Sequence, residues 1–136
     1  MAKTYGDRVI AVGEAAGQVQ TTTGGGIYYG LLGAEVAGEV VGAALRRRDV
    51  SGQSLREHDR LWKRLMAEEI KLGYWARRVA SRLSDSQIER LVRAVQGDGF
   101  FTFAERHARF DWQRELISYF LQMSSTRDVL FRPDGL

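Results

Sequence analysis

Residues 12–41 read VGEAAGQVQTTTGGGIYYGLLGAEVAGEVV, and this stretch decides how the 136-residue chain is organised. An apolar run, Arg8-Val9-Ile10-Ala11-Val12, leads into it and breaks at Gly13-Glu14. A loop of small residues and threonines follows and ends in Gly24-Gly25-Gly26. From there the pattern is helical, with few charges, to about Arg48. A strand, an acid, a glycine-rich loop and a helix N-terminus together suit an anionic or polar ligand. The N–H groups of a first helical turn have no partner within the helix, and the aligned peptide dipoles place partial positive charge there. Glycine lets a ligand approach the backbone without meeting a Cβ.

The helix predicted over 24–48 carries a stripe of small residues, among them Gly26, Gly30, Gly33, Ala34, Ala37, Gly38, Gly42 and Ala44. Each glycine inside a helix costs about 1 kcal/mol against alanine, so the stripe calls for close approach by another backbone or a flat ligand. Small residues at this spacing also pack helices in membranes. Glu35 and Glu39 argue against a span, since each acid would cost on the order of 2.5 kcal/mol or more at the bilayer centre.

Upstream, residues 7–12 are expected to form one short buried strand after a loose lead-in, with no second strand evident. Downstream, Ser54 and Glu57 are spaced as a capping box opening a long amphipathic helix to about Leu83. Its expected inner face is Leu61, Leu65, Leu72, Trp75, Val79 and Leu83, widened by Trp62, Met66 and Ile70. Ser84-Asp85-Ser86-Gln87 is a second capping box, opening a shorter helix with Ile88, Leu91, Val92 and Val95 inward. Gly99 to Phe103 reads as an aromatic connector, and a last helix is expected from about Phe110 to Met123. The tail from Ser124 docks at most through Val129-Leu130-Phe131. The expected fold is mainly α, about four helices after one short strand. Residues 7–48 form the strand, loop and helix, and residues 49–136 a helical region.

Composition narrows the functional classes. The chain is 44% hydrophobic and 27% charged, and with no cysteine it has neither disulfides nor a thiolate metal site. Its net charge of +3 is interleaved with acids at helical spacing, which reads as solvated helix faces and not as a nucleic-acid surface. His58 and His107 have no ligand-spaced partners and are expected at the surface, so a metal site is not expected. The three tryptophans fall on helical faces and are expected in the core. Residues 1–7 carry no apolar h-region, so no signal peptide is expected. The expected location is cytoplasmic or peripheral to a membrane.

The stretch from Asp7 to Val41 resembles the C-terminal FAD-binding motif of the geranylgeranyl reductase family, flavoproteins that share the p-hydroxybenzoate hydroxylase fold. The resemblance is carried by Gly13, Glu14, Ala15, Ala16 and Gly17, then by Thr22, Thr23, Gly24, Gly25, Gly26, Ile27 and Tyr28. It extends less distinctively to Leu61-Trp62 and Leu83-Ser84-Asp85. It implies that Glu14, at a position often occupied by Asp in the family, hydrogen-bonds the ribityl chain of FAD. It implies too that the amides of Gly25, Gly26 and Ile27 face the pyrimidine end of the flavin. There the helix dipole offsets the charge that gathers near N1 on reduction.

The family's opening G-x-G-x-x-G is absent from this chain. The resemblance therefore implies the C-terminal third of an α/β FAD-dependent oxidoreductase acting on isoprenoid or similar apolar double bonds. Such a segment is expected to be inactive alone and to hold FAD weakly. Its expected partners are the missing FAD-binding region or further copies of itself. The alternative is a non-catalytic helical interaction module.

Overall fold

The computed structural model describes residues 3–97, 99–109 and 112–131. Among them are two short strands, β1 (Tyr5–Gly6) and β2 (Val9–Ile10), and a 3-10 turn, Gly13–Ala16. Six α-helices follow: α1 (Ile27–Arg46), α2 (Gly52–Ala80), α3 (Asp85–Gly97), α4 (Phe100–His107), α5 (Arg114–Gln122) and α6 (Ser124–Phe131). The fold is mainly helical. The chain divides into two compact units, Met1–Lys71 and Leu72–Leu136, with the division inside α2.

In the first unit, the expected lone strand is one arm of an antiparallel hairpin, with Tyr5 opposite Ile10 and Gly6 opposite Val9. The lead-in supplies the other arm. Its two-residue turn, Asp7-Arg8, carries no glycine or asparagine, so no local signal announces it; Arg8 itself takes a left-handed conformation, φ 60°. The strand is not buried, since Val9 is 57% exposed.

The hairpin is anchored to the start of α2. The Asp7 carboxylate accepts the Gly52 amide at 2.6 Å. Arg8 donates its amide to the Val50 carbonyl at 2.9 Å. Helix α2 begins three residues before the position that the Ser54–Glu57 pair indicates. Ser51 takes the cap role, its hydroxyl accepting the Ser54 amide at 3.3 Å and its carbonyl the Leu55 amide at 3.0 Å. Glu57 instead pairs with Arg60, one turn along the same helix.

Val40 and Ala44 of α1 and Leu55 of α2 form a core cluster, with Tyr5, Ile10, Val50 and Leu61 packed around it. Within this unit the buried line of α2 is Leu55, His58, Trp62, Met66, Glu69 and Ile70. The expected line through Leu61 and Leu65 lies about 100° round the helix from it, and Leu65 is 47% exposed. A histidine and a glutamate in the buried line broke its apolar pattern.

His58 is fully buried, not at the surface. Its Nδ1 lies 3.4 Å from the Thr4 hydroxyl. That hydroxyl accepts the Trp62 indole N–H at 2.9 Å and donates to the Asp59 carboxylate at 2.9 Å. Lys63 completes the group, donating to the other Asp59 oxygen at 2.7 Å.

In the second unit, the Ser84–Gln87 capping box is present as read. Gln87 accepts the Ser84 amide at 2.9 Å, and the Ser84 hydroxyl accepts the Gln87 amide at 3.3 Å. Leu91 of α3 is buried, but Ile88 and Val92 are 45% and 53% exposed. The aromatic connector is helical: it forms α4, where Phe103 stacks on His107 and on Tyr119 of α5, the latter with centroids 3.9 Å apart. The expected tail from Ser124 is itself helical, forming α6, and the last predicted helix is present as α5, which ends before Met123, a residue in an extended conformation. Its expected start at Phe110 lies outside the described residues. Val129 of α6 is buried, and α6 packs on α3. Trp75 is 42% exposed, so it is not a core residue.

Candidate functional site

The acid and the glycine run stand at the two ends of one folded loop. After β2 the chain makes the 3-10 turn that contains Gly13 and Glu14. Gly13 and Gly17 are both left-handed, at φ 70° and 71°, a conformation that costs a glycine little. The turn closes through the Gly17 amide to the Glu14 carbonyl at 2.9 Å and the Gln18 amide to the Gly13 carbonyl at 3.0 Å. Ala16 is buried beneath it, while Glu14 is exposed and has no hydrogen-bond or ion-pair partner among the described residues.

The turn is seated on α1 by the glycine stripe. A Cβ on Gly30 would lie 3.6 Å from Gly13 Cα. The Gln18 side chain, fully buried, fills the space beside Gly33 and accepts the Gly13 amide at 2.7 Å. Sequence reasoning passed over Gln18. The signal was available: a long polar side chain in a run of small residues, facing a helix with a glycine every three to five positions.

The second half of the loop is braced from within. The Gln20 amide donates to the Gly25 carbonyl at 2.7 Å, and the Gly24 amide to the Gln20 carbonyl at 2.8 Å. Thr23 donates to the Gln20 side-chain oxygen and accepts the Gly25 amide at 3.3 Å. Thr21 ties the loop to α2, donating to the Ile70 carbonyl at 2.9 Å.

The Thr23 hydroxyl and the Gly24 and Gly25 amides thus serve the loop itself. Gly26 and Ile27 hold a different position, at the very start of α1. Gly26 is the cap residue and brings no side chain over the first turn. Val19 closes one side, 3.2 Å from where a Gly26 Cβ would stand. Gly24 and Gly25 are exposed, Gly24 is left-handed at φ 81°, and a Cβ there would meet nothing within 4 Å. The glycine run is thus open and precedes the helix. It is not folded between helices.

A groove of about 220 Å³ also lies between α1 and α2, toward the far end of α1, where Val40, Ala44, Glu57 and Leu61 line it. No cluster of three or more metal-ligating side chains occurs among the described residues. No described helix is long and apolar enough to cross a membrane.

Comparison with known proteins agrees with the class these residues suggest. The chain is related to the geranylgeranyl reductases. More narrowly, it is homologous to part of the digeranylgeranylglycerophospholipid reductases. The reductase of that name from Methanocaldococcus jannaschii is 37% identical over 93 residues, 68% of this chain and 24% of the reductase. Digeranylgeranylglycerophospholipid reductase 2 of Methanothermobacter thermautotrophicus is 28% identical over 128 residues, 94% of this chain and 32% of the reductase. An uncharacterised protein of Methanocaldococcus jannaschii is 31% identical over 114 residues, 84% of this chain and 29% of that protein. The chain therefore spans about a quarter to a third of the length of these relatives. No protein-family model and no solved structure matches it.

Proposed function

We infer that this chain serves as the flavin-facing C-terminal segment of a geranylgeranyl reductase-like, FAD-dependent oxidoreductase that reduces isoprenoid or similar apolar double bonds. The observation that carries the reading is the seating of the Gly13–Ala16 turn on the N-terminal half of α1, beside an open glycine run. The residues fit the cofactor in kind. Glu14 offers an unpaired, exposed carboxylate, an acceptor suited to hydroxyls. Gly24 leaves room against the backbone.

When bound, FAD supplies the hydride chemistry. The chain's own residues bind and orient. Glu14 holds the ribityl hydroxyls. The Gly26 and Ile27 amides, at the positive end of α1, face the pyrimidine edge and favour negative charge there. Gln20 and Thr23 hold the loop in shape, and Gly25 is part of that brace as well as of the surface. No residue here acts as acid or base in this reading. By itself the chain holds FAD weakly and is inactive, because the region that binds the ADP half in such flavoproteins lies outside the matched segment.

The test is FAD fluorescence quenching by the isolated chain and by the chain joined to the remainder of a relative. Quenching is expected only in the joined form, weakened at least about tenfold by Glu14→Ala, the loss of one charge-assisted hydrogen bond. Joined protein that leaves FAD fluorescence untouched would refute the reading. The exposed outer face of α1 favours a second reading, a non-catalytic helical module that associates with itself or another helix. That reading requires no FAD binding in any context.

A further inference from the structure

Two fully buried side chains of the first unit each carry a nitrogen with no hydrogen-bond partner among the described residues: Gln18 Nε2 and His58 Nε2. They come from different elements, the loop and α2, and both border Gly33 of α1. The Gln18 amide nitrogen stands 2.8 Å from where a Gly33 Cβ would be. Burial lowers the His58 pKa and the Gly33 backbone opposes it, as a carbonyl beside the ring does, yet Nε2 closes no direct bond.

The direction of each bond around them follows from its donors and acceptors. The Gly13 amide only donates, so the Gln18 atom that meets it is the oxygen, and the NH2 group is left as a donor. The Thr4 hydroxyl has one proton and gives it to the Asp59 carboxylate, while it accepts from the Trp62 indole. Toward His58 Nδ1, 3.4 Å away, it has only a lone pair to offer. The neutral imidazole therefore carries its proton on Nδ1, and Nε2 is a bare acceptor. A donor and an acceptor thus remain at Gly33, beside a carbonyl with a second lone pair.

We propose that one internal water is built into the fold at Gly33, accepting from Gln18 Nε2 and donating to His58 Nε2 and to the Gly33 carbonyl. Three partners are the usual number for a buried water. With it, every donor points the same way: the Gly13 amide to Gln18, Gln18 to the water, the water to His58, His58 to Thr4, and Thr4 to Asp59. Bonds in such a chain polarise one another, and this chain ends on a carboxylate held by Lys63. The water is ordered at some entropic cost. It ties the turn that carries Glu14 to α2, and it makes His58 a positioning residue for that turn. The inference concerns the chain alone and stands or falls independently of flavin binding.

The experiment is nitrogen-15 NMR of the full chain at pH 7. The His58 ring is expected with Nδ1 protonated and Nε2 bare. The Gln18 side-chain amide protons are expected to show cross-relaxation to a water that stays longer than the protein takes to tumble. His58→Leu abolishes that cross-peak and speeds exchange of the Gly13 amide about tenfold relative to the Met66 amide of the same unit. His58→Gln, whose side-chain oxygen supplies an acceptor at the same place, restores the cross-peak. A proton on Nε2 in place of Nδ1 overturns the proposal, as does a Gln18 amide with no long-lived water beside it. A scalar coupling between the Gln18 and His58 nitrogens would mean a direct bond and overturns it equally. So does Gly13 exchange that His58→Leu leaves unchanged. The ring protonation and the water contact are read on the unsubstituted chain, so they decide the question even where His58→Leu does not fold.

Discussion

The side-chain amide of Gln18 occupies the space that a side chain on Gly33 would need: a Cβ there would stand 2.0 Å from Gln18 Oε1. The same oxygen accepts the Gly13 amide. One buried side chain thereby locks the turn carrying Glu14 to the second turn of α1. The Gln18 Nε2, also buried, has no hydrogen-bond partner among the described residues, so the contact is retained at some cost in stability.

Gly33→Ala is accordingly expected to destabilise the chain by about 1–3 kcal/mol through overpacking, despite alanine's better helix propensity. Gln18→Ala costs about 1–3 kcal/mol by leaving the Gly13 amide without its acceptor. The two changes combined cost less than their sum, because each removes what the other obstructs. Urea unfolding followed by the fluorescence of buried Trp62 measures all three; strict additivity would mean that the two residues do not share this space.

The anchoring of the hairpin makes Asp7 a remote helix cap. Asp7→Ala is expected to cost about 1 kcal/mol, the loss of a capping carboxylate. Ser54→Ala, inside α2, should change stability by less than about 0.5 kcal/mol. The reverse order in denaturant midpoints would restore Ser54 as the cap.

Acid should weaken the first unit through His58. Burial holds this imidazole below its ordinary value, against the opposing pull of the Gly33 backbone and the Asp59 carboxylate. The unfolded chain therefore binds the proton more readily, and stability falls as pH drops from about 6.5 toward the lower folded value. Asp59 acts in a lower window. Burial opposes its charge, but hydrogen bonds from Lys63 and Thr4 outweigh that and hold its carboxyl below the usual range. Its contribution is present above about pH 3.9 and is lost as pH falls through the folded value. His58→Gln is expected to flatten the dependence between pH 7 and 5 while leaving the acid limb, as melting curves against pH would register.

Arg48 closes the α1–α2 connection in a left-handed conformation, φ 54°. A side chain pays roughly 1 kcal/mol for that region and glycine does not. Arg48→Gly should raise the denaturant midpoint by an amount equivalent to about 0.5–1 kcal/mol, less what glycine loses in unfolded-state entropy. A lowered midpoint would show that the guanidinium makes a contact worth more than the backbone strain.

What could be read in the chain was what its neighbours in sequence decide. The glycine run, the Ser84–Gln87 box and the small-residue helix each have local signatures, and each stands close to where it was expected. Glu14 and the glycines could be located on the loop from the sequence, but the brace through Gln18, Gln20 and Thr23 depends on contacts across the loop. The buried line of α2 was read only in part, through Trp62, Met66 and Ile70, because His58 and Glu69 interrupt its apolar pattern; the polar network with Thr4 makes the buried His58 acceptable. The Asp7-Arg8 turn has no turn residues to mark it. Three aromatics within Gly99–Phe103 hide the start of α4, since so short and dense an aromatic run shows no period.

The hairpin anchoring also bears on synthesis. Thr4 meets the indole of Trp62 across 58 positions of sequence, and Asp7 its amide across 45. At about 5–20 residues per second, the ribosome delivers the second partner roughly 2–12 s after the first. Throughout that delay two short strands must wait unsupported, so an early stall in translation would expose them to chaperones before α2 exists to receive them.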